Sequence, residues 1–207
     1  MPVFASITPT FLIWEVKESL PELLSLLPAD VPMPAYKSES RQVEWVVTHL
    51  LVQQILGRFA LVRHHESGAP YLDGISQHIS ISHTKGYVAV SMTEEPLGID
   101  IERISNRAQR VSSRYMDENE GFSDVKAPEV EATLIWSAKE AVFKILPAQD
   151  GINFLTQIRT EKFQYADGGS FWAMGKCSCG ELLYTVRYKI YPEFVLTFAS
   201  NRDFSSQ

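Results

Sequence analysis

Alternating hydrophobic and polar positions predict several strands in the first half of the chain. In residues 97–102, the apolar side chains of Leu97, Ile99 and Ile101 fall on one face of a predicted strand. Asp100 and Glu102 share the opposite face. Runs rich in β-branched and aromatic residues predict further strands at 10–16, 78–82 and 87–92.

Apolar positions that recur with the helical period of about 3.6 residues predict helices between these strands. The clearest covers residues 38–56, where Gly57 provides an end signal. A second long helix is predicted over 129–146 and ends before Pro147, and shorter helices are predicted at 17–27 and 106–116. Residues 153–200 return to a strand pattern with glycine-containing turns. This order predicts an α+β fold of two similar-sized lobes, residues 1–104 and 105–207.

Composition narrows the class of protein. The chain has 207 residues, with 45% hydrophobic and 21% charged residues, as is usual for a globular protein. A net charge of −6 argues against non-specific binding to nucleic acid. We expect no signal peptide, no membrane span and a cytoplasmic location.

Cys177 and Cys179 lack the further ligands of a structural zinc site, and we expect two strand residues that face the same way.

Carboxylates and a lysine form the candidate chemistry. Asp100 and Glu102 would repel each other unless a cation lay between them, and an oxygen-only pair suits Mg²⁺. In the segment WSAKEAVFK, Trp136, Glu140 and Lys144 would share one helical face. Glu140 could therefore supply a third carboxylate, and Lys144 could contact a phosphate.

The order of these motifs resembles the 4′-phosphopantetheinyl transferases of the surfactin-type branch. The similarity covers residues 41–144 and rests on Ser80–Thr84, on Gly98–Glu102, on Arg114 with Glu120, and on Trp136 to Lys144. It implies two pseudo-symmetric lobes, each with an antiparallel sheet packed on helices, in a monomer. It also implies Mg²⁺-dependent transfer of 4′-phosphopantetheine from coenzyme A to a serine of an acyl- or peptidyl-carrier protein, with release of 3′,5′-ADP.

The resemblance also implies roles for individual residues. The metal ligands would be Asp100, Glu102 and Glu140. Glu140, Glu120 or a metal-bound water would act as base, and Lys144 would neutralise phosphate charge. Residues 67–74 resemble the family's GKP loop, but Ala69 stands where lysine is common. The expected coenzyme A contacts are Arg41, Gly68, Pro70, Ser82, His83, Lys139 and Lys144.

Two other functions remain open on the residues alone. One is a different Mg²⁺-dependent phosphoryl enzyme, although the sequence contains no P-loop motif. The other is a non-catalytic module that binds coenzyme A or a carrier protein. Taken singly, Asp100 and Glu102 could lie on a solvated edge strand, and Glu140 with Lys144 could be an ordinary helix pair.

A row of arginines suggests where a carrier protein would dock. Arg103, Arg107, Arg110 and Arg114 would form one basic stripe if they lay on a continuous helix. An acidic helical partner would suit Arg107, Arg110 and Arg114. The alternative is a solvated face whose arginines pair with Glu118 or Glu120.

Overall fold

The computed structural model describes the backbone of Val3–Phe4 and residues 11–201 in full, and the chain divides into two compact units. Unit 1 is Met1–Glu95 and unit 2 is Pro96–Gln207. The sequence had suggested a division after residue 104. The strand that carries Asp100 and Glu102 falls in unit 2 because it pairs along its whole length with the last strand of the chain.

Unit 1 is built on a four-stranded antiparallel sheet with the order β1-β2-β6-β5. Helix α2 packs on this sheet through Val46, Val47, Leu50 and Leu51, which are buried with Trp14. A two-stranded antiparallel hairpin, β3–β4, lies within the segment 62–72. The elements are β1 Val3–Phe4, β2 Phe11–Glu15, α1 Leu20–Leu24, α2 Glu39–Leu56, β3 Val62–His64, β4 Pro70–Leu72, β5 His78–Thr84 and β6 Tyr87–Thr93.

The long helix of unit 1 begins and ends within a residue of its predicted bounds. Ser38 occupies the N-cap position with an extended backbone, although its side chain makes no capping hydrogen bond. Gly57 is the C-cap, and its φ of 69° lies in the left-handed region that glycine adopts without steric cost. The apolar positions of residues 38–56 and the glycine that follows them thus predicted both the existence and the extent of α2.

His49 is a buried polar residue that joins α2 to β3. Its Nδ1 lies 2.7 Å from the carbonyl oxygen of Trp45, and its Nε2 accepts a hydrogen bond of 3.2 Å from the backbone N–H of Val62. These partners fit the neutral imidazole with its proton on Nδ1. Burial lowers the pKa of His49, while the bond to Trp45 opposes this change.

Unit 2 contains a five-stranded antiparallel sheet with the order β7-β13-β12-β11-β9. Helix α4 packs across it through Leu134, Ala138, Ala141 and Val142, and a short parallel pair joins β8 to β10. The elements are β7 Leu97–Arg103, α3 Asn106–Arg110, a 3₁₀ turn at Ser112–Arg114, β8 Gly121–Phe122, α4 Pro128–Phe143, α5 Phe154–Gln157, β9 Ile158–Thr160, β10 Lys162–Phe163, β11 Gly168–Cys177, β12 Gly180–Ile190 and β13 Phe194–Asn201. Both units combine antiparallel sheets with packed helices, which confirms the α+β class.

The helix predicted over 106–116 begins at the predicted residue, but its predicted length was wrong. Helix α3 ends at Arg110, Val111 has non-helical dihedral angles of −111° and 9°, and a separate 3₁₀ turn follows. Arg103 lies in β7, where it forms an ion pair with Glu193. The four arginines therefore do not form a stripe along one helix, although Arg107, Arg110 and Arg114 are all exposed.

The prediction for the two cysteines was also wrong. Cys177 ends β11, but Cys179 lies in the turn before β12, and the two residues form a disulfide. A turn reverses the chain between them, so they do not project from one strand as period-two alternation would require. In the described part of the chain, no helix is both long and apolar enough to cross a membrane.

Candidate active site

Lys144 and Asp100 form the centre of the candidate site in unit 2. Lys144 follows the last residue of α4 as its C-cap. Its Nζ donates to Asp100 Oδ1 and to the carbonyl oxygen of Ile99, both at 2.8 Å. Asp100 is 6% exposed and the Lys144 side chain 25% exposed. A partly accessible ammonium group is thus held beside a buried carboxylate.

Glu140 lies one turn before Lys144 and belongs to the same electrostatic group. Burial and, to a smaller extent, the charge of Asp100 raise the pKa of Glu140 to about 7, against the opposing effect of Lys144. Two carboxylates therefore compete for the positive charge of a single lysine. An additional cation would relieve this repulsion and favour the ionised form of Glu140.

Glu102 lies two residues beyond Asp100 on β7, as predicted, and is half-buried. Glu102 also affects the pKa of Tyr115. Burial raises the pKa of the Tyr115 hydroxyl, and the negative charge of Glu102 raises it as well. The Tyr115 hydroxyl lies 2.9 Å from the carbonyl oxygens of Ala108 and Ala132, and its ring packs edge-on against Trp136. Glu102 is therefore close to the contact between α3 and α4.

The donor set has the chemistry of a hard-cation site. Asp100, Glu102 and Glu140 offer only oxygen, and Mg²⁺ commonly uses one or two carboxylates together with water and substrate phosphates. Within residues 11–201, however, no three histidine, cysteine or acidic side chains are assembled as a metal site. The repelling pair of Asp100 and Glu140 is the part of the predicted triad that fits a cation in this structure.

Glu120 and Lys139 form a second ion pair inside unit 2. Lys139 Nζ donates to Glu120 at 2.8 Å, to the Tyr115 carbonyl at 2.5 Å and to the Phe154 carbonyl at 3.0 Å. Glu120 also accepts hydrogen bonds from Thr160 and from the backbone of Asp117. The exposures of Lys139 and Glu120 are 0% and 4%. All three ammonium hydrogens of Lys139 have partners within the unit, and both oxygens of Glu120 are hydrogen-bonded.

One predicted phosphate contact of unit 1, His83, lines a cavity of about 310 Å³. His83, at the end of β5, lines it together with Thr84, Lys85 and Glu44. Glu44 Oε2 lies 3.2 Å from Arg41 Nη1 and 3.5 Å from His83 Nε2. Arg41 and His83 are thus brought together through a carboxylate that the sequence reasoning missed. The spacing of three residues between Arg41 and Glu44 was the available signal, since such residues are neighbours on a helix.

The remaining predicted contacts occupy other positions in unit 1. Ser82 is a buried residue of β5 with 6% exposure. Gly68 has a φ of 88° in the β3–β4 turn, where its N–H donates to the His65 carbonyl. Pro70 begins β4. The loop predicted at 67–74 therefore contains a strand, and a left-handed glycine holds its turn.

Comparison with known proteins finds similarity in the part of the chain that carries Asp100, Glu140 and Lys144. Residues 96–189 match the family model of the 4′-phosphopantetheinyl transferase superfamily. A 4′-phosphopantetheinyl transferase named gsp, from Aneurinibacillus migulanus, is 32% identical over 90 residues, which cover 42% of this chain and 38% of that protein. A 4′-phosphopantetheinyl transferase from Bacillus subtilis is 29% identical over 85 residues, with 38% of each protein covered.

The aligned residues thus span 38% of the length of each relative. The matched family region contains β7 and α4, the two elements that bring Asp100 together with Lys144. The similarity to two bacterial transferases agrees with the surfactin-type branch that the motifs indicated. Residues 96–189 of this chain are thus similar to the 4′-phosphopantetheinyl transferase superfamily.

Proposed function

We propose that this protein transfers the 4′-phosphopantetheine group of coenzyme A to a serine hydroxyl of an acyl- or peptidyl-carrier protein, with Mg²⁺ as cofactor. The observation that carries the proposal is the contact of Lys144 with Asp100 beside the repelling carboxylate of Glu140. These residues lie within the matched family region. Both relatives are named 4′-phosphopantetheinyl transferase, which supports the transfer of this group.

Asp100 and Glu140, with Glu102, are the residues that would hold Mg²⁺. A bound divalent ion would supply positive charge beside the pyrophosphate of coenzyme A, where the reaction accumulates negative charge. The ion would also keep Glu140 ionised at neutral pH, since an adjacent cation lowers the pKa of a carboxyl group.

Lys144 would stabilise the phosphates through its remaining hydrogen. An ammonium group has three N–H donors, and in the described residues Lys144 uses two of them, for Asp100 and for the carbonyl of Ile99. The third can point to a phosphate oxygen, because the side chain is partly exposed. Such a fixed cation acts on the charge that develops as the bond to the leaving group breaks.

The proposed reaction forms one oxygen–phosphorus bond and breaks another. The serine oxygen attacks the β-phosphorus, and the bond from that phosphorus to the oxygen of 3′,5′-ADP breaks. Glu140 is the proposed acceptor of the serine proton, since it lies beside Asp100 and Lys144 and, when ionised, can accept a proton at neutral pH. For Glu120 and Lys139 we propose a structural role instead, because their partners lie inside unit 2.

In unit 1, Arg41 and His83 are the proposed contacts to the phosphates of coenzyme A. They flank a shared position, now held by Glu44, and His83 lines a cavity of about 310 Å³. For the carrier protein, the exposed Arg107 and Arg110 of α3 remain candidates. If they dock the partner, Arg107→Glu with Arg110→Glu should raise KM for the carrier protein and leave KM for coenzyme A unchanged.

Incubation with coenzyme A, Mg²⁺ and an apo carrier protein tests the proposal by intact-protein mass spectrometry. We expect a mass gain equal to one phosphopantetheine group, lost in the Asp100→Ala variant. Binding of coenzyme A without any mass gain would instead indicate a non-catalytic module. Release of phosphate from nucleotides without carrier modification would indicate another phosphoryl enzyme.

A further inference from the structure

The Glu44 carboxylate contacts Arg41 and His83, the two side chains that the proposed function assigns to a phosphate of coenzyme A. Glu44 lies in the second turn of α2 and lines the cavity of about 310 Å³ together with Ser40, His83 and Lys85. Its side chain is only 23% exposed. An acidic residue is unexpected beside groups that would bind an anion, because two negative charges a few ångströms apart repel each other.

The Glu44 carboxylate contacts three side chains that border the cavity or lie beside it. Its Oε2 lies 3.2 Å from Arg41 Nη1 and 3.5 Å from His83 Nε2, and its Oε1 accepts a hydrogen bond of 3.1 Å from the Ser40 hydroxyl. A carboxylate and a phosphate present similar oxygen acceptors, and arginine binds both. Glu44 therefore stands between the two side chains as a phosphate oxygen would.

We propose that Glu44 is an internal competitor of the phosphate groups of coenzyme A and sets the affinity of the protein for this substrate. The inference rests on the proposed function. In the free protein, Glu44 contacts Arg41 and His83. When coenzyme A binds, its phosphate displaces the carboxylate, which turns towards the cavity or the solvent. The displacement weakens binding and so favours release of the 3′,5′-ADP product, which retains the 3′-phosphate and the phosphate on the 5′ carbon of the ribose.

The opposite role for Glu44 predicts the opposite result. If Glu44 served to orient Arg41 and His83 for the substrate, its removal would weaken binding. A competitor differs, because its removal takes away the carboxylate that Arg41 and His83 contact and removes a charge that repels the ligand. The sign of the change in affinity therefore separates the two roles.

The test compares coenzyme A binding by isothermal titration calorimetry for the wild type and for Glu44→Gln, which keeps the shape of the side chain and removes its charge. We expect about fivefold tighter binding, since solvent-exposed charge contacts of this kind are each worth up to about 1 kcal/mol. The KM for coenzyme A should fall as well, and the KM for the carrier protein should not. Equal or weaker binding by Glu44→Gln would overturn the proposal.

Glu39→Gln is the matched control. Glu39 is an exposed residue in the first turn of the same helix, so its substitution removes the same charge without touching the pair. We expect its affinity for coenzyme A to stay within about twofold of the wild type. An equal gain in both variants would mean that only the overall charge matters, which also overturns the proposal.

A second probe separates this inference from the transferase assignment. Inorganic phosphate can be titrated while the His83 ring signals are followed by NMR, with thermal melts to confirm that each variant is folded. Glu44→Gln should bind phosphate more tightly than the wild type whether or not any carrier protein is modified. Failure of transfer together with tighter phosphate binding would reject only the proposed function. Normal transfer without tighter binding of either probe would reject only the role of Glu44.

Discussion

Gly98 lies directly against the backbone of Ala141: a Cβ built on Gly98 would lie 1.9 Å from the Ala141 carbonyl oxygen. Strand β7 and helix α4 can approach each other this closely only because position 98 has no side chain. This approach allows Lys144, just beyond the end of α4, to reach both the Ile99 carbonyl and Asp100. By allowing β7 and α4 to pack closely, Gly98 thus helps to bring Lys144 to Asp100 in the proposed site.

Gly98→Ala should therefore separate β7 from α4. Overpacking of this kind costs about 1–3 kcal/mol, and the contact here is to backbone, which cannot rotate away. We expect a lower free energy of unfolding in urea and a lower transfer rate, because Lys144 and Asp100 would move apart. Gly169→Ala is the control, since its nearest contact would be the Tyr188 hydroxyl at 3.3 Å, at the end of a side chain. Equal small effects of both substitutions would contradict the packing role.

Lys144 and Lys139 should respond to alanine substitution in different ways. Lys144→Ala should lower turnover by on the order of 10²-fold, since it removes a cation from the proposed site of phosphate charge. Lys139→Ala should instead lower the free energy of unfolding by about 3–5 kcal/mol, because it leaves the buried Glu120 without its cation. Urea unfolding and single-turnover transfer assays on both variants measure these two effects. A stable but inactive Lys139→Ala variant would show that Lys139 takes part in the reaction.

Glu140 should make stability in the absence of metal fall as the pH rises. Its pKa is raised from 4.5 to about 7 in the folded protein, so the folded state holds a proton that the unfolded state has released. The resulting stabilisation is fully present below about pH 4.5 and is lost as the pH rises through 7. Glu140→Gln should remove this dependence and be the more stable protein at pH 8, as urea titrations in EDTA at several pH values can show. An unchanged pH profile in this variant would contradict the raised pKa.

His49 should contribute a pH dependence of the opposite sign. Burial lowers its pKa in the folded state, so below the ordinary value of 6.5 the unfolded chain binds a proton that the folded chain resists. This contribution to stability is fully present above pH 6.5 and is lost as the pH falls towards the folded-state pKa. Comparison of the wild type with His49→Gln over pH 5–8 isolates it, since glutamine offers both a donor and an acceptor. If the difference between the two proteins did not change with pH, the neutral buried imidazole would be refuted.

Much of the local structure could be predicted because it depends on local rules. The apolar period of residues 38–56 and the left-handed glycine that ends them define α2 with almost no tertiary information. The alternation in β7 placed Asp100 and Glu102 on one face correctly. The helix over 106–116 failed for the opposite reason: Val111 leaves the helical conformation although the polar pattern around it continues.

The sequence by itself determined the α+β class, the resemblance of residues 41–144 to the 4′-phosphopantetheinyl transferases and the spacing of Asp100, Glu140 and Lys144. These follow from side-chain periodicity and from motif order, both of which are properties of the linear chain. Only the tertiary structure decided which charges meet. Lys139 and Lys144 are five residues apart on one segment, yet one is enclosed with Glu120 and the other reaches Asp100 from the end of the helix. Glu44 likewise contacts His83, which lies 39 positions further along the chain, because strand pairing and helix packing bring the two residues together.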